Sequence, residues 1–301
     1  MMTYEFTAAL TNLGLSLVQA LTLLICAPLV AGIVKKVKAL LQNRIGASIW
    51  QEYFDIYKWW RKPTIITPHT TLVFKLAPCV YFITTLLAAC MLPNLIFGVP
   101  GAGFGDVFVF IYILALGRFF MAVSSMDAAT AFGGMGGSRE VYVAAFVEPC
   151  VMLAVLSNVL HTHSTSLGGM VLDPERLNLT VAGTLTCIAF FFVLLAENSR
   201  IPVDNPDTHL ELTMIHECMT LEYSGRLLSL IHWASQLKLL IFFTLFALLY
   251  LPLGWPVVLK VLLTAVAVGV VETLNNKMRL FKVRVYLAAA ALMLLLAVVA
   301  Q

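Results

Sequence analysis

Apolar residues along the chain come in long unbroken runs rather than in the short alternations of a half-buried sheet, and eight of these runs are long enough to cross a bilayer. A span needs about 20 mainly apolar residues to cover a hydrocarbon core of about 30 Å. The runs lie at about 12–34, 72–93, 106–125, 141–161, 179–197, 228–251, 256–274 and 284–300. They predict an all-α integral membrane protein with about eight transmembrane helices in a single membrane domain over 1–301. The stretch from Met1 to Thr11 lacks the basic region and small-residue cleavage site of a secretory signal, so the first run is expected to be a retained helix.

Two polar links interrupt this pattern. The segment 38–62 carries charge throughout, yet Ile49, Trp50, Tyr53, Phe54, Tyr57 and Trp60 recur near helical spacing. It predicts an amphipathic helix lying in the membrane interface, a form that equally suits docking of a water-soluble partner. The second link, 198–227, is an acidic loop. Two glycine-rich stretches, Gly101 to Gly105 and Gly133 to Gly137, lack the preceding strand and the spacing of a nucleotide-binding fingerprint and are expected to be flexible turns.

Charge orients the pattern. Lys35, Lys36, Lys38, Arg44, Lys58, Arg61, Lys62 and Lys75 follow the first run, whereas Pro93 to Gly105 holds no cation. The excess of cations on cytoplasmic loops then places 35–71 inside, the acidic loop inside and both termini on the outer face. A chain that is 60% hydrophobic and 12% charged, with mean hydropathy +0.92, excludes a water-facing surface. The net charge of +3, gathered in clusters rather than in a stripe, argues against nucleic acid. Cys26, Cys79, Cys90, Cys150, Cys187 and Cys218 are scattered without ligand spacing, so no iron-sulfur or zinc site is expected in this chain.

Charges inside the runs carry the candidate chemistry. An ionisable side chain in mid-span costs about 2.5–3.5 kcal/mol on insertion scales, so each one retained needs a reason. Glu148 lies within the fourth run and is followed by Pro149, which frees a backbone carbonyl. A carboxyl there is expected to exchange protons at neutral pH, or else to be a structural partner of Arg118 or Lys238. Arg118 is expected to snorkel from the inner end of its span, Lys238 to have less freedom to reach water, and Lys260 to snorkel outward.

The densest stretch is ENSRIPVDNPDTHLELTMIHECMTLEYSG, with Glu197, Asp204, Asp207, Glu211, Glu217 and Glu222 against Arg200 alone before Arg226. Capped by Asn205, with Pro206 first in line, the chain is expected to run helically to about Leu221. That helix sets Asp207, Glu211 and Cys218 within about 40° of one another, with Glu222 joining them if it persists. Leu210, Leu212, Met214, Ile215 and Met219 between the acids call for burial, and crowded buried acids share protons. His216 and Glu217 open an HExxH pattern, but Thr220 stands at its closing position, and His209 lies about 10.5 Å from His216 along a helix. A protonatable pair fits these histidines better than a metal site.

The run LAENSRIPVD closed by LEYSG resembles the membrane subunit that anchors the peripheral arm of respiratory complex I, known as subunit 1. The resemblance is closer still to the corresponding subunit of formate hydrogenlyase, hydrogenase 4 and related energy-converting nickel-iron hydrogenases. RIGASIWQEYFDIYKWWRK, LALGRFF and GGSREVYVAAFVEP carry it, and it extends over nearly the whole chain. It implies a subunit of a bacterial or archaeal cytoplasmic membrane that binds no cofactor itself. Above it would dock hydrogenase large and small subunits with a nickel-iron site and iron-sulfur clusters, and antiporter-like membrane subunits would lie alongside.

In that family, glutamates of the fourth span and of the following acidic loop form an ion-coupling channel. Glu148, Glu197, Asp204, Asp207, Glu211 and Glu222 stand in matching places, as do Arg200 and Pro202. Glu140, Glu217, His209 and Lys238 complete the candidate pathway, with Arg118, Arg139 and Arg200 as charge partners. Two departures stand out. Gly46 is followed by Ala47 where the family has proline, and the acidic loop is about three residues longer than in complex I, with His209 in place of a carboxylate. The expected function is the docking and ion-coupling membrane subunit of a hydrogenase-type complex, moving protons or sodium ions. A quinone-reducing complex I subunit and a stand-alone secondary transporter are the alternatives.

Overall fold

The computed structural model describes residues 2–93, 105–172, 180–205, 214–252 and 254–300, with side chains from Thr11 onward. Among these residues the elements are helical apart from one isolated bridge between Asp106 and Ser166. In chain order they are α1 Met2–Leu41, α2 Gln51–Arg61, α3 Leu72–Met91, α4 Val107–Asp127, α5 Ala131–Thr162, α6 Leu167–Leu172, α7 Val181–Glu197, α8 His216–Thr220, α9 Gly225–Tyr250, α10 Val257–Leu274 and α11 Leu280–Val299. Seven of them, α1 (from Thr11), α3, α4, α5, α9, α10 and α11, are long and apolar enough to cross a membrane. The eighth expected span is α7, whose 17 residues reach about 25 Å at 1.5 Å per residue.

Starts of the spans are written locally. The side chains of Thr71, Asp106, Thr130 and Thr180 accept the N–H of Val73, Phe108, Gly133 and Gly183, satisfying donors that the first turn of a helix leaves free. α9 is the central post. It packs on α1, α2, α3, α7 and α10, and its side chains from Gln236 to Leu249 are buried. The outward faces are apolar: Phe281, Val285, Leu292, Leu296 and Val299 of α11 stand exposed, as a lipid solvent requires.

Three expectations change. The amphipathic helix begins at Gln51 rather than near residue 38, because Lys38–Leu41 continue α1 and the chain then turns through Asn43 and Gly46, both at positive φ. The Arg44 N–H closes that turn on the Ala39 carbonyl at 2.8 Å, the usual way a left-handed residue ends a helix.

Gly133 to Gly137 are not a turn but the first part of α5. A Cβ added at Gly136 would lie 2.8 Å from the Met219 nitrogen, and one at Gly137 2.3 Å from the Ser125 hydroxyl. These glycines let α5 approach α8 and the end of α4, as small residues do between membrane helices.

The single helix from Asn205 to Leu221 is broken. Residues 206–213 lie outside the described residues, but Met214 and Ile215 are non-helical and α8 starts only at His216. The Asp204 carboxylate accepts the N–H groups of Ile215 and His216 at 3.1 and 3.2 Å, which holds the start of α8 against the end of the α7 turn.

Candidate functional site

α7 ends on a buried carboxylate, Glu197, which meets the cations of α4 and α9. Arg118 of α4 bonds the Glu197 carboxylate through Nη2, reaches Glu148 of α5 through Nη1 at 3.4 Å, and has Nε 3.8 Å from Glu140 of α5. Lys238 of α9 lies 2.8 Å from Glu197 Oε1 and donates to the Glu197 carbonyl at 3.0 Å. A cation on that carbonyl compensates the negative end of α7. Arg118 is therefore not a snorkelling residue: it is 8% exposed and held from three sides. Lys260, also expected to snorkel, is 2% exposed.

The charges do not balance. Three carboxylates, Glu140, Glu148 and Glu197, face two cations, Arg118 and Lys238. The cluster therefore holds one more formal negative charge than positive, in surroundings where charges are costly to leave unpaired. Glu148 differs from the rest, with a side chain 46% exposed against 4% for Glu197 and 11% for Glu140. It faces sideways into a cavity of about 250 Å³ between α4 and α5, lined by Ala115, Ala122, Ala144 and Ala145.

Below the cluster, the chain leaves α7 through a turn at Ser199, which has positive φ, and the Arg200 N–H returns to the Leu195 carbonyl at 2.8 Å. Ile201, Val203 and Asp204 are buried. Non-helical backbone at this depth is tolerated where protein covers it or it lines a wet cavity. Protein covers this stretch, and Asn198, Ser199, Arg200 and Asp204 line a cavity of about 80 Å³ that reaches Glu140, Glu197 and Lys238. A larger vestibule of about 470 Å³ opens beneath α2, with Lys35, Glu52, Asp55 and His232 on its wall. Arg200, Glu217, Ser235 and Gln236 line both spaces and form the neck between them.

Ion pairs hold the loop. Asp204 accepts Lys277 Nζ at 2.5 Å and the Asn205 N–H at 2.8 Å, beside the two N–H groups already named. Glu272 of α10 pairs with Arg200 at 3.4 Å and with Lys38 at 3.5 Å. Arg139 Nη1 donates to the Met214 carbonyl at 2.8 Å, pinning the re-entry into α8. The Tyr223 hydroxyl donates to the Phe74 carbonyl at 3.0 Å, and burial pushes this phenol up to about 12, so it stays a neutral donor.

Of the residues singled out from sequence, Arg118, Glu140, Glu148, Glu197 and Lys238 meet in one cluster, and Arg200, Asp204 and Glu217 line the cavity beneath it. Glu222 sits in the turn between α8 and α9. Asp207, His209 and Glu211 lie outside the described residues. Glu52, Gln236, Glu272, Lys35, Lys38 and Lys277 were missed. Glu272 had a readable signal: it lies within the expected span 256–274, and the insertion cost that singles out Glu148 applies to it equally.

Comparison with known proteins agrees with this architecture. A family model described as NADH dehydrogenase matches residues 14–300. Hydrogenase-4 component C of Escherichia coli (strain K12) is 35% identical over 263 residues, covering 86% of this chain and 82% of that protein. Formate hydrogenlyase subunit 4 of the same organism is 31% identical over 240 residues, covering 79% and 77%. A subunit of the NADH-quinone oxidoreductase of Syntrophotalea carbinolica is 28% identical over 227 residues, covering 71% and 67%. Among solved structures, a chain of the membrane-bound sulfane sulfur reductase, an archaeal respiratory membrane complex, superposes with a TM-score of 0.77 over 95% of this chain and 99% of that one, at 16% identity.

Proposed function

This chain belongs to the NADH dehydrogenase subunit 1 family, and from that premise we propose that it is the docking and ion-coupling membrane subunit of an energy-converting hydrogenase-type complex. It is a multi-pass membrane protein, and its relatives are membrane subunits of oxidoreductase complexes. The reading assigns to partner subunits the nickel-iron site, the iron-sulfur clusters and the antiporter-like channels. It sets the chain in a prokaryotic cytoplasmic membrane with both termini outward, so that the vestibule opens to the cytoplasm.

The observation that carries the proposal is the excess carboxylate of the buried cluster, with a cavity beneath it and an opening to the side at Glu148. A charge change in the docked redox arm alters the balance at the vestibule, and a proton moves through the neck to Glu197. Lys238 and Arg118 hold the anions in register while Glu148 passes the proton sideways to a neighbouring subunit. Glu140, Glu217 and Glu222, with Asp207, His209 and Glu211 of the acidic loop, belong to the same inlet. Asp204, held by four donors, serves as a fixed anion that shapes it.

The two hydrogenase relatives exceed 30% identity whereas the quinone oxidoreductase subunit stands at 28%, which favours hydrogen over quinone chemistry in the partner. The vestibule keeps quinone reduction as the second reading, and co-purification of a quinone-reducing rather than a nickel-binding large subunit would select it. Glu148→Gln in the complete complex, reconstituted in vesicles, tests the main one. Hydrogenase activity with a soluble electron acceptor should persist while ion transport is lost; retained transport would defeat the proposal.

A further inference from the structure

The neck between the two cavities has an organisation that the ion pairs of the cluster do not explain. Gln236 lies in α9 and is only 8% exposed. Its amide Nε2 donates to Glu52 Oε2 at 2.6 Å, and Glu52 is in turn paired through Oε1 with Lys35 at 2.7 Å. Because a carboxylate only accepts, Glu52 determines which end of the amide faces it. The other end, Oε1, is buried and meets no donor among the described residues, and the same holds for Glu197 Oε2. Both residues line the 80 Å³ cavity. Buried acceptors left alone cost about 1–3 kcal/mol each, so such a space is built for donors that come from outside the chain.

We propose that the inner cavity is a water site, with Gln236 anchoring its first water and Glu52 positioning Gln236, and that protons reach Glu197 from the vestibule under α2 through this neck. The inference rests on the relay reading above and adds its inlet. A space of about 80 Å³ accommodates a few waters at about 30 Å³ each. Water is the donor both orphaned oxygens need, and it conducts protons where an amide does not. Glu217 and Ser235 complete the neck with groups that exchange hydrogen bonds with such a chain, while Arg200, tied to Glu272, bars a free cation.

The arrangement also gives α2 a function beyond anchorage. Trp50, Phe54, Tyr57 and Trp60 face outward at 45–63% exposure while Glu52 points inward, so the seating of this helix at the membrane surface sets the orientation of the amide. Trp59 stacked on His232 at 4.4 Å and the Ser229 hydroxyl on the Ile56 carbonyl at 3.2 Å fix that seating.

The test uses the complete complex in vesicles, comparing Gln236→Leu, Gln236→Glu, Glu52→Gln and Glu148→Gln for ion transport, soluble-acceptor activity and the solvent deuterium isotope effect on transport. Gln236→Leu should slow transport by about tenfold, the scale of one lost hydrogen bond to the first water, and raise the isotope effect, with soluble-acceptor activity unchanged. Gln236→Glu, which holds a proton between itself and Glu52 and still offers an acceptor, should recover part of the rate. Glu52→Gln should show the same defect more weakly.

A purely structural role for Gln236 would leave the isotope effect alone. Parental transport and isotope effect in Gln236→Leu, with transport abolished by Glu148→Gln, would overturn the inlet and leave the relay standing. Parental behaviour in both variants would overturn the relay itself. Should Gln236→Leu fail to assemble, an unchanged isotope effect in Gln236→Glu and Glu52→Gln would overturn the inlet instead.

Discussion

The two halves of α9 follow opposite rules. From Ser229 to Lys238 the helix presents Ser229, His232, Ser235, Gln236 and Lys238 to cavities and partners. From Leu239 to Leu249 it is buried and apolar but for Thr244, whose hydroxyl is satisfied by the Leu240 carbonyl at 2.7 Å. Phe190, Phe243 and Phe246 fill the level that corresponds to cavities and charges lower down. The change occurs at the level of Arg118, Glu148, Glu197 and Lys238. The half lined by cavities ends there against a close-packed one, and the carboxylate exposed at that level, Glu148, points sideways. On the proposed relay, this contrast makes the described part of the chain an inlet with a lateral exit at Glu148.

The sharpest way to break the comparison is at its boundary. Lys238→Met leaves the carbonyl end of α7 without its cation and Glu197 with Arg118 alone, and removing one member of a buried pair costs about 3–5 kcal/mol. The variant should fail to accumulate in assembled complexes, measured by thermal unfolding in detergent, and Glu197→Gln in the same chain should restore much of the loss. Gly136→Ala probes the inner end of the bundle through packing, with no charge removed. Its methyl group presses on the α8 backbone, and overpacking of this kind costs about 1–3 kcal/mol. The unfolding temperature should fall, and transport per assembled complex should fall with it, because α8 carries Glu217.

The mildest change sharpens the contrast. Thr244→Val in the close-packed half removes a hydroxyl bonded only to its own helix and should alter stability by under about 1 kcal/mol, with the transport rate unchanged. A transport defect there would reveal a polar path through the outer half.

The helices were legible because lipid as solvent forces every backbone group to pair within its own segment, so length and apolarity suffice to find them. Glu148 and Lys238 were legible for the complementary reason, that a charge in such a run demands compensation. Depth was not. Arg118 was assigned to a span end because hydropathy bounds a span only loosely, while its true level is dictated by the bond to Glu197. Gly133 to Gly137 read as a turn because glycine permits turns and close helix contact alike, and only the neighbour α8 decides between them. The neck was illegible altogether: Glu52 and Gln236 are separated by 184 positions, and nothing local ties a glutamate of an interfacial helix to an amide of a spanning one.

The central claim is that the three carboxylates of the cluster share a proton that moves during turnover. Infrared difference spectroscopy of the complex, reduced against oxidised, in light and heavy water measures it directly. The account predicts a protonated carboxyl band that shifts in heavy water and is lost or displaced in Glu148→Gln and in Glu197→Gln. A difference spectrum without such a band, or one that both substitutions leave untouched, would contradict it.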